Sequence, residues 1–207
     1  MKTRGNLIVL SGFAGVGKGT VLKSLFETHE GYAYSVSATT RAPRPGEVNG
    51  VHYFFVSKER FEEMIEEDEL LEYASYVGNY YGTPRSYVEE KLEDGFDVIL
   101  EIEVEGALNV RKKVPDAILI YMLPPGARVL QERLKGRGTE TDEVIARRMK
   151  RAGEEAQRVS EYDYIIVNYD VDDCADQLDA LIRSQRLRVR SNLPFITKLQ
   201  KELKELT

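Results

Sequence analysis

The chain has 207 residues, of which 42% are hydrophobic and 31% are charged, and its formal net charge is −6. This composition is typical of a folded domain and argues against disorder, and the length allows one α/β domain with a buried core. The acidic balance disfavours non-specific nucleic-acid binding, which needs a broad basic field. No apolar run approaches the roughly 20 residues that span a membrane. With a single cysteine, Cys174, no intrachain disulfide can form, and a reducing, cytoplasmic setting is expected.

Apolar runs alternate with helical patterns along the chain. This alternation predicts an α/β fold with a doubly wound parallel sheet flanked by helices. The predicted buried strands are Leu7–Leu10, Asp97–Glu101, Ala117–Met122 and Tyr164–Val167. The predicted helices cover approximately residues 18–27, 105–113, 126–135, 142–159 and 171–188.

Two segments interrupt this alternation. Residues 36–95 are rich in tyrosine and polar residues and lack long apolar runs. They predict an inserted subdomain of short strands and helices that covers one end of the main sheet. The main domain, residues 1–186, would then have a core of residues 1–35 and 96–186. Residues 136–150 are polar and basic and begin with glycines, which predicts a mobile lid that continues into a helix.

The tail, residues 187–207, differs from the domain in composition. Its apolar residues recur at helical spacing and predict a C-terminal helix. They are Ile196, Leu199, Leu203 and Leu206. We expect this helix to pack back on its own domain, with a dimer contact as the alternative, so the protein is either a monomer or a homodimer.

A glycine-rich segment between the first strand and the first helix has the context of a P-loop, the phosphate-binding loop of nucleotide enzymes. It comprises Gly12, Phe13, Ala14, Gly15, Val16, Gly17, Lys18, Gly19 and Thr20. Backbone N–H groups and the helix N-terminus would cradle phosphates, and Lys18 can reach the β and γ phosphates. Gly19 stands where the usual motif has a Ser or Thr that binds Mg²⁺. We therefore expect phosphates, waters and an acidic residue elsewhere to hold the ion.

Two further pairs of charged residues point to ligands. Arg41 and Arg44 flank Pro43 in an irregular segment and could clamp a phosphate dianion, although two solvated arginines would give the same pattern. Glu101 and Glu103 follow a buried strand and point to the same side of it. Ligands of open parallel sheets bind at this end. Glu101 is the candidate for Mg²⁺, directly or through water.

Together, the P-loop and four later motifs resemble guanylate kinase over nearly the whole chain up to about residue 186. These are TTRAPRPGEVNGVHYFFV, LEYASYVGNYYGTP, GRGTET and VNYD. The resemblance implies a P-loop NTPase-type sheet with an inserted nucleoside-monophosphate-binding subdomain and a lid. It also implies transfer of the γ-phosphate of ATP to GMP, and also to dGMP, with Mg²⁺ as cofactor.

The resemblance also implies roles for individual residues. Those holding the GMP phosphate would be Arg41, Arg44, Tyr53 and Tyr81. Those reading guanine would be Ser37, Glu72, Thr83 and Glu103. The catalytic residues around the transferring phosphate would be Lys18, Arg41, Arg137 and Arg148. Asn168 would lie near the adenine of ATP. The family more usually has Asp at the position of Glu103.

The chemistry of guanine supports the choice of Glu72 independently. A carboxylate accepts from both N1–H and the exocyclic amine of guanine, whereas adenine would present an acceptor to it. A site that leaves buried polar groups unpaired rejects the wrong ligand strongly. Two alternatives remain: a kinase for AMP, CMP or UMP, and a catalytically inactive guanylate-kinase-like module that binds phosphopeptides. The inactive module would not need Lys18, Arg137 or Arg148.

Overall fold

The computed structural model describes residues 4–136 and 141–206. Its strands are β1 (Leu7–Gly12), β2 (Tyr32–Tyr34), β3 (Ala38–Thr39), β4 (Phe54–Phe55), β5 (Leu70–Tyr76), β6 (Asn79–Pro84), β7 (Asp97–Glu101), β8 (Ile118–Leu123) and β9 (Tyr164–Val167). Its α-helices are α1 (Lys18–Thr28), α2 (Lys58–Glu66), α3 (Arg85–Glu93), α4 (Val104–Lys113), α5 (Ala127–Lys135), α6 (Asp142–Ala156), α7 (Val171–Gln185) and α8 (Leu193–Glu205). Two short 3-10 helices cover Val159–Glu161 and Val189–Asn192.

The main sheet has five strands in the order β2-β7-β1-β8-β9, and every neighbouring pair is parallel. In β1, Ile8, Val9 and Leu10 have no exposed surface. Because successive side chains point to opposite faces, both faces of the sheet must be covered. Each fully buried side chain of this size contributes about 1.5–3 kcal/mol. The predicted α/β fold with a parallel sheet flanked by helices is confirmed.

A second, four-stranded sheet has the order β4-β3-β6-β5 and lies within residues 38–84. Its own small core is built around Phe61 of α2, which is fully buried and stacks on Tyr80 with ring centroids 5.2 Å apart. By contrast, Val88 and Leu92 of α3 belong to the main core. We therefore propose that the inserted subdomain ends near residue 84 and that α3 is part of the main domain.

The buried carboxylate of Asp97 joins the two ends of the main domain. It accepts hydrogen bonds from the backbone and side-chain nitrogens of Asn6, at 2.7 and 2.9 Å. Its other oxygen accepts from Nε and Nη2 of Arg186, at 3.1 and 2.9 Å. Asp97 is only 2% exposed, so the arginine supplies the charge that its burial requires. We propose that the domain extends to Arg186.

The C-terminal helix α8 forms where the apolar spacing predicts it, but none of its residues is buried. Most of its apolar side chains are exposed, among them Leu193, Phe195 and Leu199, whereas Ile196 is half-buried. The expectation that this helix packs back on its own domain is therefore corrected. Helical spacing identifies an apolar stripe, but it does not determine the surface that covers it.

The only cysteine, Cys174 in α7, is buried, and burial raises the pKa of its thiol to about 11. In residues 4–136 and 141–206, no helix is both long enough and apolar enough to cross a membrane.

The contrast between Arg186 and α8 can be tested by unfolding in urea. Deleting residues 193–207 should change the free energy of unfolding by less than about 0.5 kcal/mol, as for other exposed groups. Arg186→Ala should lower the free energy of unfolding by about 2 kcal/mol or more, because it leaves the buried Asp97 carboxylate without its arginine. Since Arg186 is partly exposed, this loss should be smaller than the loss for a fully buried pair. Arg183→Ala, which removes an exposed arginine of α7, is the matched control. A large loss on deletion would mean that α8 packs on the domain.

Candidate active site

The P-loop connects the end of β1 to the start of α1. Gly15 and Gly17 have positive φ angles of 83° and 103°, which side chains other than glycine rarely adopt. Lys18 begins α1, and its Nζ donates to the carbonyl of Gly12 at 2.7 Å, so its side chain lies over the loop. The loop thus places a lysine and a helix N-terminus at the carboxyl end of the central strand.

Side chains from two other elements hydrogen-bond to the P-loop: Asn168, just after β9, and Arg133 of α5. Nδ2 of Asn168 donates to the carbonyl of Val16 at 2.9 Å, and Nη1 of Arg133 donates to the same carbonyl at 3.0 Å. Arg133 also donates from Nη2 to the carbonyl of Asn168 at 2.9 Å. A Cβ on Gly17 would stand 2.6 Å from Nδ2 of Asn168, so this position has no room for a side chain.

A cavity of about 680 Å³ opens beside the P-loop. Its walls come from the loop, the end of β7, the start of α4, the tip of β5 and one face of α6. Of the predicted residues, it is lined by Gly12, Ala14, Lys18, Glu101, Glu103 and Arg148. It is also lined by Tyr76, Arg147 and Arg151, for which no role was predicted. The mixture of one lysine and three arginines with several carboxylates suits a phosphorylated ligand that carries a metal ion.

Glu101, the last residue of β7, and Glu103, just before α4, have different partners. Oε2 of Glu101 accepts from the hydroxyl of Tyr34 at 3.1 Å and lies 3.9 Å from where a Cβ on Gly19 would stand. Glu101 therefore faces the position at which the usual P-loop carries its metal-binding hydroxyl. The carboxylate of Glu103 is exposed and accepts from Nη2 of Arg151 at 2.7 Å. It is thus bound to α6.

Glu101 fits a magnesium ion that is shared with phosphates. In the described part of the chain, no group of three or more His, Cys, Asp or Glu side chains could hold a metal alone. Mg²⁺ commonly binds through one or two carboxylates, with substrate phosphates and waters completing its shell. A single carboxylate beside the P-loop meets that requirement.

The predicted phosphate clamp is largely assembled on the second sheet. The Arg41 guanidinium lies 5.4 Å from the ring centroid of Tyr53 and 5.8 Å from that of Phe55. The rings of Tyr53 and Tyr81 are 6.1 Å apart. Hydrogen bonds to Glu47 and to the Tyr81 hydroxyl raise the pKa of Arg41. Arg44 lies on the same loop with its side chain exposed.

The guanine-reading prediction centres on a buried pair across β5 and β6. Oγ1 of Thr83 donates to Oε1 of Glu72 at 2.6 Å, and Glu72 is 7% exposed. Burial raises the pKa of Glu72, and the Thr83 hydrogen bond partly opposes that shift. A Cβ on Gly106 would stand 3.0 Å from the other oxygen, Oε2. Ser37, half-buried, immediately precedes β3 of the same sheet.

The predicted residues therefore form separate groups. One lines the cavity by the P-loop, one surrounds Arg41, and one surrounds Glu72. Among the described residues, neither Arg41 nor Glu72 lines that cavity. Asn168 is 2% exposed beneath the loop. Arg137 lies outside the described residues.

Sequence reasoning missed several residues that contact these groups. They are Glu47, Arg133, Arg147 and Arg151. The Pro-Gly pair at residues 45–46 was an available turn signal that could have directed attention to Glu47. The partners of Arg133 and Arg151 lie far away in sequence, so no local pattern identifies them.

Comparison with known proteins identifies the family of this chain. The guanylate kinase family profile matches residues 4–185. A guanylate kinase of Streptococcus thermophilus is 56% identical over 190 residues, which is 91% of each chain. One of Streptococcus agalactiae is 53% identical over 203 residues, covering 98% of this chain and 97% of the relative. A crystal structure of guanylate kinase from Anaplasma phagocytophilum aligns with a TM-score of 0.69 at 32% identity, covering 90% of this chain and 89% of that one. The chain belongs to the guanylate kinase family.

Proposed function

We propose that this chain transfers the γ-phosphate of ATP to GMP, giving ADP and GDP. The observation that carries the choice of GMP is the buried Glu72 carboxylate with its Thr83 partner. Thr83 occupies one lone-pair direction of Oε1, and the carboxylate retains further acceptor capacity. Two adjacent donors of guanine match it, whereas adenine, with an acceptor at N1, does not. Ser37 would support the base from its position just before β3, and dGMP would fit the same contacts.

The acceptor phosphate would bind at the aromatic and cationic cluster. The Arg41 guanidinium provides paired N–H donors, and the hydroxyls of Tyr53 and Tyr81 provide single donors. Arg44 adds a second positive charge from the same loop. Because the acceptor phosphate is already an anionic nucleophile, its attack on the γ-phosphate requires no dedicated base. Its oxygen needs only to be aligned with the bond that breaks.

The donor phosphates would lie in the cavity beside the P-loop. Backbone N–H groups of the loop and Lys18 hold the β and γ phosphates, and Arg148 from α6 stabilises charge on the transferring group. Arg137 would join it from the lid. Glu101 would hold Mg²⁺, which neutralises phosphate charge when bound. We propose that the role of Asn168 near the nucleotide is to support the backbone of the P-loop, which carries these groups. A module that only binds peptides would make no use of Lys18 and Arg148 in this cavity.

The role of Glu72 can be tested with Glu72→Gln, which keeps the shape and replaces one acceptor by a donor. We expect kcat/KM for GMP to fall by about two orders of magnitude or more, because a substrate donor is left facing a donor. Discrimination against AMP should relax, since an amide can donate to adenine N1. Steady-state assays with each nucleotide measure both, and Glu62→Gln on the exposed face of α2 is the control. GMP kinetics within about threefold of wild type would show that Glu72 does not read the base.

The same substitution should have the opposite effect on stability without nucleotide. Burial raises the pKa of Glu72 above its unfolded value of about 4.3, so the folded state binds the proton more tightly. That contribution to stability is fully present below pH ~4.3 and is lost as pH rises through the folded pKa. Glu72→Gln does not titrate and should therefore gain stability relative to wild type between pH 4 and pH 7. Urea unfolding at both pH values measures this, and an unchanged difference would contradict the expected burial cost.

The separation of the groups predicts a closing motion. In-line transfer requires the reacting atoms to lie within roughly 3–3.5 Å of each other. Among the described residues, however, neither Arg41 nor Glu72 lines the cavity beside the P-loop. We expect GMP to move the second sheet part of the way and GMP with a non-hydrolysable ATP analogue to complete closure.

Spin labels at Glu62→Cys on α2 and Glu132→Cys on α5 can measure this motion. Their distance distribution should shift partly with GMP and further with both ligands. The buried Cys174 thiol, with its raised pKa, should not compete for the label. The same labels in urea-unfolded protein give the ligand-insensitive control. An unchanged distribution with both ligands would rule out closure.

A further inference from the structure

A tight turn at residues 44–47, in the loop that carries Arg41 and Arg44, returns the chain toward Arg41. The backbone N–H of Glu47 donates to the carbonyl of Arg44 at 3.0 Å, which closes a four-residue turn. Pro45 and Gly46 occupy its central positions, and Gly46 has a φ of 86°. A proline followed by a residue with positive φ is the arrangement of a type II turn. The turn therefore directs the side chain of Glu47 back over the residues that precede it.

The carboxylate of Glu47 contacts both arginines of the clamp. Its Oε1 accepts from Nη2 of Arg41 at 2.8 Å, and its Oε2 accepts from Nη1 of Arg41 at 3.0 Å. Oε2 also accepts from the backbone N–H of Arg44 at 2.7 Å. The side chains of Arg41 and Glu47 are only 15% and 17% exposed. Hydrogen bonds from Arg41 and from the Arg44 backbone lower the pKa of Glu47 to about 2, so it is ionised at neutral pH.

The pairing uses one particular edge of the guanidinium. Three of the five N–H donors of Arg41 go to Glu47 and to the carbonyl of Ala42, two from Nη1 and one from Nη2. The Nε–H and the second Nη2–H form the other edge, which has the spacing for two phosphate oxygens. The rings of Tyr53 and Phe55 restrict the plane of the guanidinium. Glu47 therefore fixes the rotation of Arg41 without itself occupying the second edge. The Tyr81 hydroxyl also accepts from Arg41, so it would share the guanidinium with a bound phosphate.

We propose that Glu47 is a positioning residue for the acceptor phosphate. It acts through Arg41 and through the Arg44 backbone, and it has no contact of its own with the nucleotide. A flexible arginine must lose side-chain entropy when it binds phosphate, and Glu47 has already removed that freedom. The proposal rests on the proposed role of Arg41 in binding the GMP phosphate. The opposite hypothesis is that Glu47, as an anion, competes with the phosphate. The two hypotheses predict changes of opposite sign in GMP affinity when Glu47 is replaced.

The test compares GMP with guanosine, which lacks the phosphate, by calorimetry on wild type and Glu47→Gln. In the variant, GMP affinity should fall by about tenfold or more, the scale of a lost charge-assisted hydrogen bond. Guanosine affinity should stay within about twofold, because the base pocket is separate. In kinetics, KM for GMP should rise while KM for ATP stays unchanged. Glu47→Asp, which keeps the charge, should recover part of the loss. Glu69→Gln is the matched control, since it breaks an arginine–carboxylate pair of the same subdomain, with Arg60, outside the clamp.

Three results would overturn the proposal. GMP affinity that rises in Glu47→Gln would show that Glu47 competes with the phosphate. GMP affinity within about twofold of wild type would show that Arg41 needs no positioning. Equal losses for GMP and guanosine would indicate a structural role only. If wild-type protein binds GMP no better than guanosine, the assignment of Arg41 fails instead, so the two failures are distinguishable.

Discussion

The burial of β1 is the constraint on which the donor site depends. The strand lies between β7 and β8 in a parallel sheet that is covered on both faces, and its central residues have no exposed surface. A strand held in this way ends at a fixed point, so the loop that follows starts from a fixed point as well. The P-loop, Glu101 at the end of β7 and Asn168 just after β9 all lie at the same edge of the sheet. The donor site is thus a property of the sheet rather than of the loop alone.

Two buried carboxylates show how structural and functional charges differ in this chain. Asp97 is paired with an arginine and an asparagine, so its burial is compensated within the protein. Among the described residues, the Glu72 carboxylate has a hydroxyl as its only side-chain partner, and burial raises its pKa. Its remaining hydrogen-bonding capacity is suited to a ligand. The difference in partners, and not in burial, separates the carboxylate that stabilises the fold from the one that we propose as the reader of a base.

The main sheet could be predicted because its strands are long apolar runs. β1, β7, β8 and β9 lie within about two residues of their predicted positions. β2 was missed since it has three residues and only partial burial. Within the second sheet, β3 and β4 have two residues each and depend on neighbours distant in sequence. The candidate site residues were chosen from motifs, but motifs do not predict which side chains pair. The contacts of Glu103 with Arg151 and of Glu47 with Arg41 depend on how the chain folds back, and no spacing rule supplies that information.

The Asp97 carboxylate has a further consequence for chain topology. Asn6, just before β1, and Arg186, just after α7, are both within hydrogen-bonding distance of it, so the beginning and end of the main domain are neighbours in space. Domains with adjacent ends tolerate circular permutation, because a short linker can join them. New termini could open at the exposed turn around Val77, which has a φ of 48° and links β5 to β6. Such a permuted chain would keep every contact of the sheet while changing the order in which its strands are synthesised.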